Sequence, residues 1–208
     1  EKLFKGGFST GHGHLREPND IQSYSALACI AIQSNQNDQH GGQSIADFDY
    51  GMKNGVVKTF RKLYWTNVGK MLNLLFDIEE GVDKVKEIGR EIMEKYDLYP
   101  IIADDNGYKE VEAEYLQKLI DRKYIATIQK KATKYANDEV DRATYQAMEA
   151  FVHNLNTMHS RAGAQVPFSS INFGTDISPE GRLVIKNILL AIEAGLGNGE
   201  TAIFPVSI

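Results

Sequence analysis

The residues most able to do chemistry cluster between Phe151 and Asp176. His153, Asn154, Asn156 and His159 close a helical segment. The loop Ser160–Pro167 carries Arg161, Gly163 and Gln165, and the apolar strand pattern Phe168–Phe173 holds Ser169, Ser170 and Asn172. Hydrogen-bonding side chains beside a core strand cost free energy unless they find partners. Loop and strand therefore read as the lining of a polar, nucleotide-sized site. Core packing with backbone hydrogen bonds is the plainer alternative for Ser169 and Ser170, and it stays open.

A second such stretch is Ser34–Ser44. It joins the amides Asn35, Gln36, Asn37, Gln39 and Gln43 to His40 and the pair Gly41-Gly42. Glycines let a backbone approach a ligand closely, and successive N–H groups can cradle an anion. No Gly-Lys-Ser/Thr follows, so this is not a phosphate-binding P-loop; a simple polar turn is the other reading. His12 and His14, two apart in a glycine-rich loop over residues 4–18, suit a metal ion only with a third ligand. Without one they read as hydrogen-bonding groups.

Composition narrows the class. The chain has 208 residues, 42% of them hydrophobic and 25% charged, as in an ordinary globular protein. A net charge of −5 gives no electrostatic footprint for nucleic acid. The sole cysteine, Cys29, excludes an internal disulfide framework and a Cys-rich zinc site, and fits a reducing compartment. With no basic neighbour it reads as a small core residue rather than a reactive thiol. No apolar run reaches membrane-spanning length. The chain starts on Glu1 and stops on a strand-like run, so it reads as an internal piece of something longer.

The elements that position these residues follow from periodicity. Pro18-Asn19-Asp20 begins a helix through Ser23–Gln33. Steps of three and four predict helices over 56–76, 78–95, 110–136 and 139–158. Lys58, Arg61, Lys62 and Lys70 decorate the first of these, as a solvated face or a phosphate contact. Pro100 and Asn106-Gly107 mark a break. Ser178-Pro179 caps a helix that ends at Gly195, and Thr201–Ile208 reads as a second buried strand. Strand, helix, strand predicts a parallel pair.

These motifs carry a resemblance. QSNQNDQHGGQSIADFDY, HNLNTMHSRAGAQVPFSSINFGTD, SPEGR and GLGNGET-IFP, preceded by GGFSTGHGHLREPNDI, resemble the anaerobic (class III, glycyl-radical) ribonucleoside-triphosphate reductases from about Gly6 to Pro205. Cys29 stands where relatives commonly carry a small residue, and Ala202 where proline is usual. The resemblance implies an α/β fold, part of the ten-stranded barrel of ribonucleotide reductases and glycyl-radical enzymes. The chain would be a single fragment of it: a polar loop and helix region (1–55), a helical segment (56–158) and a strand–helix–strand (159–208).

It also implies an oxidoreductase that reduces ribonucleoside triphosphates to deoxyribonucleoside triphosphates for DNA replication, commonly with formate as reductant. A glycyl radical, installed by an S-adenosylmethionine iron–sulfur activase and passed to a cysteine, would supply the chemistry. A zinc site is implied near the end of the longer chain. Implied partners are the substrates, dNTP and ATP effectors, the activase and a second copy in a cytoplasmic homodimer, with no nucleic acid and no membrane. Neither the thiyl cysteine nor the radical glycine falls within these residues, so the fragment alone is expected to be inactive.

By the same resemblance Gly41, Gly42, Gln43 and Ser44 sit by the substrate. Ser169, Ser170 and Asn172 face the barrel interior, with His12, His14 and Asn156 in the polar lining. Arg161 and Gln165 belong to the loop that links effector and substrate base. The long helices would hold the dimer interface. A non-catalytic nucleotide-binding module and a lyase-type glycyl-radical enzyme remain as alternatives.

Overall fold

The computed structural model describes residues 6–9, 13–39, 41–159 and 165–208. In chain order the elements are β1 (Phe8–Ser9), β2 (His14–Leu15), α1 (Ile21–Asp38), β3 (Gln43–Ile45) and α2 (Phe48–Phe76). Then come α3 (Gly81–Tyr96), α4 (Tyr108–Leu116), α5 (Arg122–Thr157), β4 (Ser169–Ile171), α6 (Pro179–Ala194) and β5 (Val206–Ser207). They form two compact units, one from residues 1–56 and 141–208, the other from residues 57–140. The whole is mixed helix with a small parallel sheet, an α/β arrangement. No helix among the described residues is long and apolar enough to cross a membrane.

The first unit holds the sheet, in the order β3-β4-β5 with every pair parallel. Gln43 lies beside Ser169, and Ser44 beside Ser170, which lies beside Val206. Helix α6 carries the chain from β4 to β5, as the strand–helix–strand pattern requires. Its N-cap is Ser178, whose hydroxyl accepts from Gly181 N, with Pro179 in the first turn and Gly195 (φ +70°) at its end. Helix α1 starts at a capping box in which Asp20 accepts from Ser23 N at 2.8 Å and Ser23 Oγ accepts from Asp20 N at 3.1 Å.

Small residues bring α1 close to α5. Ser25 Oγ donates to Ala147 O at 2.8 Å, and Cys29 Sγ lies 4.0 Å from Phe151 O. Cys29 is buried, as expected of a core residue, and burial pushes its thiol up to about 12. Gly55 admits the Tyr24 ring, which a Cβ would meet at 3.0 Å. Phe48, Met52, Met148, Phe151, Val152 and Leu155 complete this core, each burial contributing roughly 1.5–3 kcal/mol.

The second unit is helical. At its centre Glu112 is fully buried. It accepts from Tyr64 Oη at 2.6 Å, Gln129 Nε2 at 2.9 Å and Tyr108 Oη at 3.2 Å. Trp65 Nε1 in turn donates to Tyr108 Oη at 2.8 Å. Gly89 is required there, because a Cβ would stand 2.3 Å from the Trp65 indole.

Several boundaries differ from the sequence reading. Helix α1 runs on to Asp38, absorbing the first half of the expected Ser34–Ser44 loop; Gln39 N closes it on Asn35 O. Helix α2 begins at Phe48, not 56. The helix expected over 110–136 is broken after Leu116, while α5 runs unbroken through 137–138, where no glycine or proline stops it. The expected buried strand 201–208 shortens to the exposed pair Val206–Ser207, and Phe168, expected in a buried strand, is 61% exposed. The glycine-rich stretch read as a loop contains the antiparallel pair β1–β2.

Candidate functional site

Three chain segments meet at the amino end of the parallel sheet. Gly41 and Gly42 lead into β3, Gln165–Phe168 into β4, and Phe204 into β5. With Gln36 of α1 they border an open cavity of about 560 Å³ lined by Gln36, Gly41, Gly42, Gln165, Val166, Phe168 and Phe204. Amide groups and aromatic rings around a few hundred Å³ suit a small polar heterocycle.

Local sequence explains the shape. Gly41 has φ +104°, a conformation that favours glycine. Gly42 permits a close approach, since a Cβ there would lie 2.9 Å from Phe168 Cδ1. Gln43 N donates to Phe168 O at 2.8 Å, tying the two loops together. The Phe168 and Phe204 rings meet edge to face, centroids 5.2 Å apart. The Gln43 side chain is buried, is held by Asn35 Nδ2 and is not in the cavity lining.

Of the residues singled out from sequence, Gly41, Gly42 and Gln165 come together at this cavity. Strand alternation divides the next three. Ser170 and Asn172 share one face with Ser44, whose Oγ donates to Asn172 Oδ1 at 3.2 Å. Ser169 lies on the opposite face beside Ile171, fully buried, with no hydrogen-bond partner for its Oγ. The three therefore do not line one surface. His14 is exposed in β2 opposite Ser9, away from the cavity lining. Asn156 bonds backbone: Oδ1 accepts from Ile203 N and Phe204 N, both at 3.0 Å. His12 and Arg161 lie outside the described residues.

Sequence reasoning missed Phe204 as a lining residue; Gln36 belongs to the amide-rich stretch already singled out, but it reaches the cavity from helix α1. Sequence reasoning also missed a polar cluster at the carboxyl end of β3 and β4. Asp49, fully buried in the first turn of α2, accepts from Gly174 N at 3.0 Å and Asp176 N at 2.9 Å. Its other oxygen has no partner. Asp176 accepts from Ser178 N at 2.8 Å and pairs with Lys53 Nζ at 3.0 Å. Burial alone would raise the Asp176 carboxyl, but the Ser178 contacts and Lys53 outweigh it and hold it below the usual range. The one available signal was Asp49 and Lys53 spaced a helical turn apart beside Phe48 and Met52.

The second unit has its own cavity, about 440 Å³, with Lys109, Glu110, Glu114, Arg122 and Gln129 in its lining. Lys109 is already paired with Asp104 at 2.5 Å. No group of three or more His, Cys, Asp or Glu suited to a metal ion occurs among the described residues.

Comparison with known proteins agrees with the motifs. The Escherichia coli (strain K12) protein named anaerobic ribonucleoside-triphosphate reductase is 40% identical over 72 residues, 34% of this chain and 10% of that relative. The enzyme of the same name from Enterobacteria phage T4 is 39% identical over 75 residues, 36% of this chain and 12% of its own length. A Salmonella typhimurium relative of that name is 39% identical over 72 residues, again 10% of its length. The aligned stretches thus span about a tenth of these relatives. The family model described as anaerobic ribonucleoside-triphosphate reductase matches residues 1–208, and the chain belongs to that family.

Proposed function

We propose that this chain forms part of the barrel of a reductase that converts ribonucleoside triphosphates to deoxyribonucleoside triphosphates, and that the cavity at the amino end of the sheet receives the nucleobase. The observation that carries the reading is that Gly41, Gly42 and Gln165, from segments far apart in sequence, line one cavity with Phe168 and Phe204. Amide groups of Gln36 and Gln165 can exchange hydrogen bonds with a base edge, and the rings offer an apolar wall. The N–H groups of the Gly41–Gly42 turn suit a phosphate or ribose oxygen.

In this reading a glycyl radical, installed by an S-adenosylmethionine iron–sulfur activase, supplies one-electron chemistry, with formate as reductant. The residues here do not fit the cysteine that would work beside it. Cys29 is buried against Phe151 O and is not in the cavity lining. The chain's own contribution is to bind and orient, and alone it does not turn over. A homodimer, dNTP and ATP effectors, a zinc site in the longer chain and a cytoplasmic setting belong to the same proposal.

Calorimetric titration with ATP, CTP and dTTP, alongside the mass in solution, tests it. Saturable binding that weakens about tenfold in Gln165→Ala, some 1.4 kcal/mol, is the expected result. No binding by the folded chain at millimolar nucleotide would overturn it.

A further inference from the structure

Asn156 lies in the last turn of α5 and spends every bond it has. Oδ1 accepts from Ile203 N and Phe204 N at 3.0 Å each. Nδ2 donates to Phe204 O at 2.5 Å and to Val152 O at 2.7 Å. A carboxamide offers two donors and two acceptor sites, so its capacity is filled and its orientation fixed by its partners. Strand β5 begins only at Val206, so residues 203 and 204 precede the sheet ladder. The side chain takes the place of a neighbouring strand for them.

What it holds is a wall of the cavity. Phe204 is 9% exposed, packs edge to face on Phe168, and lines the space with it. Phe168 is tied to β3 through its carbonyl and Gln43 N. Phe204 has no such tie through a strand; its N–H and its carbonyl both go to Asn156. On that side the Phe204 backbone is held by one carboxamide.

We propose that Asn156 is a specificity-determining positioning residue: it sets the Phe204 wall and thereby which base the cavity accepts, without touching the base itself. The inference rests on the nucleotide reading of the cavity. It replaces the sequence expectation that Asn156 lines the substrate directly.

The test compares the whole chain with Asn156→Asp. That change keeps an acceptor for the two N–H groups but sets a carboxylate against the Phe204 and Val152 carbonyls. Dissociation constants for ATP and for CTP are measured by calorimetry, and the ring signals of Phe168 and Phe204 by NMR without ligand. The expected result is an about tenfold change in the ATP-to-CTP ratio, the size of a small change in pocket fit, with both ring signals shifted together. An unchanged ratio in a folded variant overturns the proposal, since a merely structural residue would weaken both ligands alike or neither. Unmoved ring signals overturn it as well. If the unmodified chain binds neither nucleotide, the nucleotide reading falls and base selection by this wall falls with it. The ring signals then report separately on whether Asn156 positions Phe204. Should Asn156→Asp not fold, Phe204→Leu trims the same wall and is expected to move the same ratio; an unmoved ratio there overturns the proposal too.

Discussion

The two ends of the β3-β4-β5 sheet are built on opposite principles. The amino end is opened by what is missing: side chains at Gly41 and Gly42, with rings and amides set back around a cavity of about 560 Å³. The carboxyl end is closed by charge. There Asp49 holds two backbone N–H groups, and Asp176 holds a third together with Lys53, whose ammonium lies 4.1 Å from the centre of the Tyr50 ring. Ligands of open parallel sheets usually sit beyond the carboxyl ends of the strands. In this unit that end secures the turn between β4 and α6, and the open cavity is at the other. The cavity is thus at the uncharged end of the sheet, and the buried carboxylates are at the other.

The largest effect that could break this comparison is expected from Asp49→Ala. It leaves Asp176 N without an acceptor in a buried setting, at about 1–3 kcal/mol, and Gly174 N without one in a part-buried setting, at less. Chemical denaturation should show a loss of roughly 2–4 kcal/mol. Nucleotide affinity of the folded protein should not change. A variant as stable as the parent, or one that loses ligand affinity while folded, would mean the carboxyl end is not a structural bolt.

Glu112, in the other unit, sharpens the point because it is a buried carboxyl of another kind. Both of its oxygens have donors, whereas one Asp49 oxygen has none. Tyr64→Phe removes one of its donors and should cost about 1–2 kcal/mol, less than Asp49→Ala. A larger loss for Tyr64→Phe would reverse the ranking of the two sites.

The pH dependence of the two sites has opposite sign. Burial raises Glu112 above the usual carboxylate range, with Tyr64, Gln129 and Tyr108 working against it. Its folded form binds its proton more tightly than the unfolded chain. The stability tied to it is full below the unfolded value and is lost as pH rises through the folded one. Asp176 is lowered, so its contribution is present above about pH 4 and fades as pH falls through the folded value. Amide hydrogen exchange read across pH 3–7 should show protection at Ser178 weakening toward acid. Protection at Gln129 should weaken in the other direction. Parallel trends would show that one of the two shifts is assigned with the wrong sign.

Much of the fold was legible because it rests on local rules. Asp20, Ser178-Pro179 and Gly195 mark helix ends by capping chemistry that needs no tertiary partner. Of the inward set Tyr145, Met148, Phe151, Val152 and Leu155, which follows from helical period, all are buried but Tyr145, which is half-buried. What was not legible depended on where a polar residue points. The amide-rich run after Gln33 has loop composition, yet its first five residues form the last turn and a half of α1. Ser169 and Ser170 look alike in sequence but alternate across a strand. Asn156 read as a ligand-facing amide, and its true partners, Ile203 and Phe204, lie far along the chain, beyond any local pattern. The family itself was legible from long motifs, which the match over residues 1–208 bears out.

The smallest change in stability, and the cleanest test of the open end, is expected from Gly42→Ala. A Cβ at position 42 would stand 2.9 Å from Phe168 Cδ1, so something must shift. The ring is 61% exposed and can swing outward, so the fold need lose no more than about 1 kcal/mol. Swinging the ring, however, separates it from Phe204 and changes the cavity. Nucleotide binding should therefore weaken about tenfold while the denaturation midpoint hardly moves. Asp49→Ala is expected to do the reverse, losing stability with affinity kept. If Gly42→Ala instead destabilises as strongly as Asp49→Ala, then the amino end is also held by packing, and the distinction between an open and a bolted end fails.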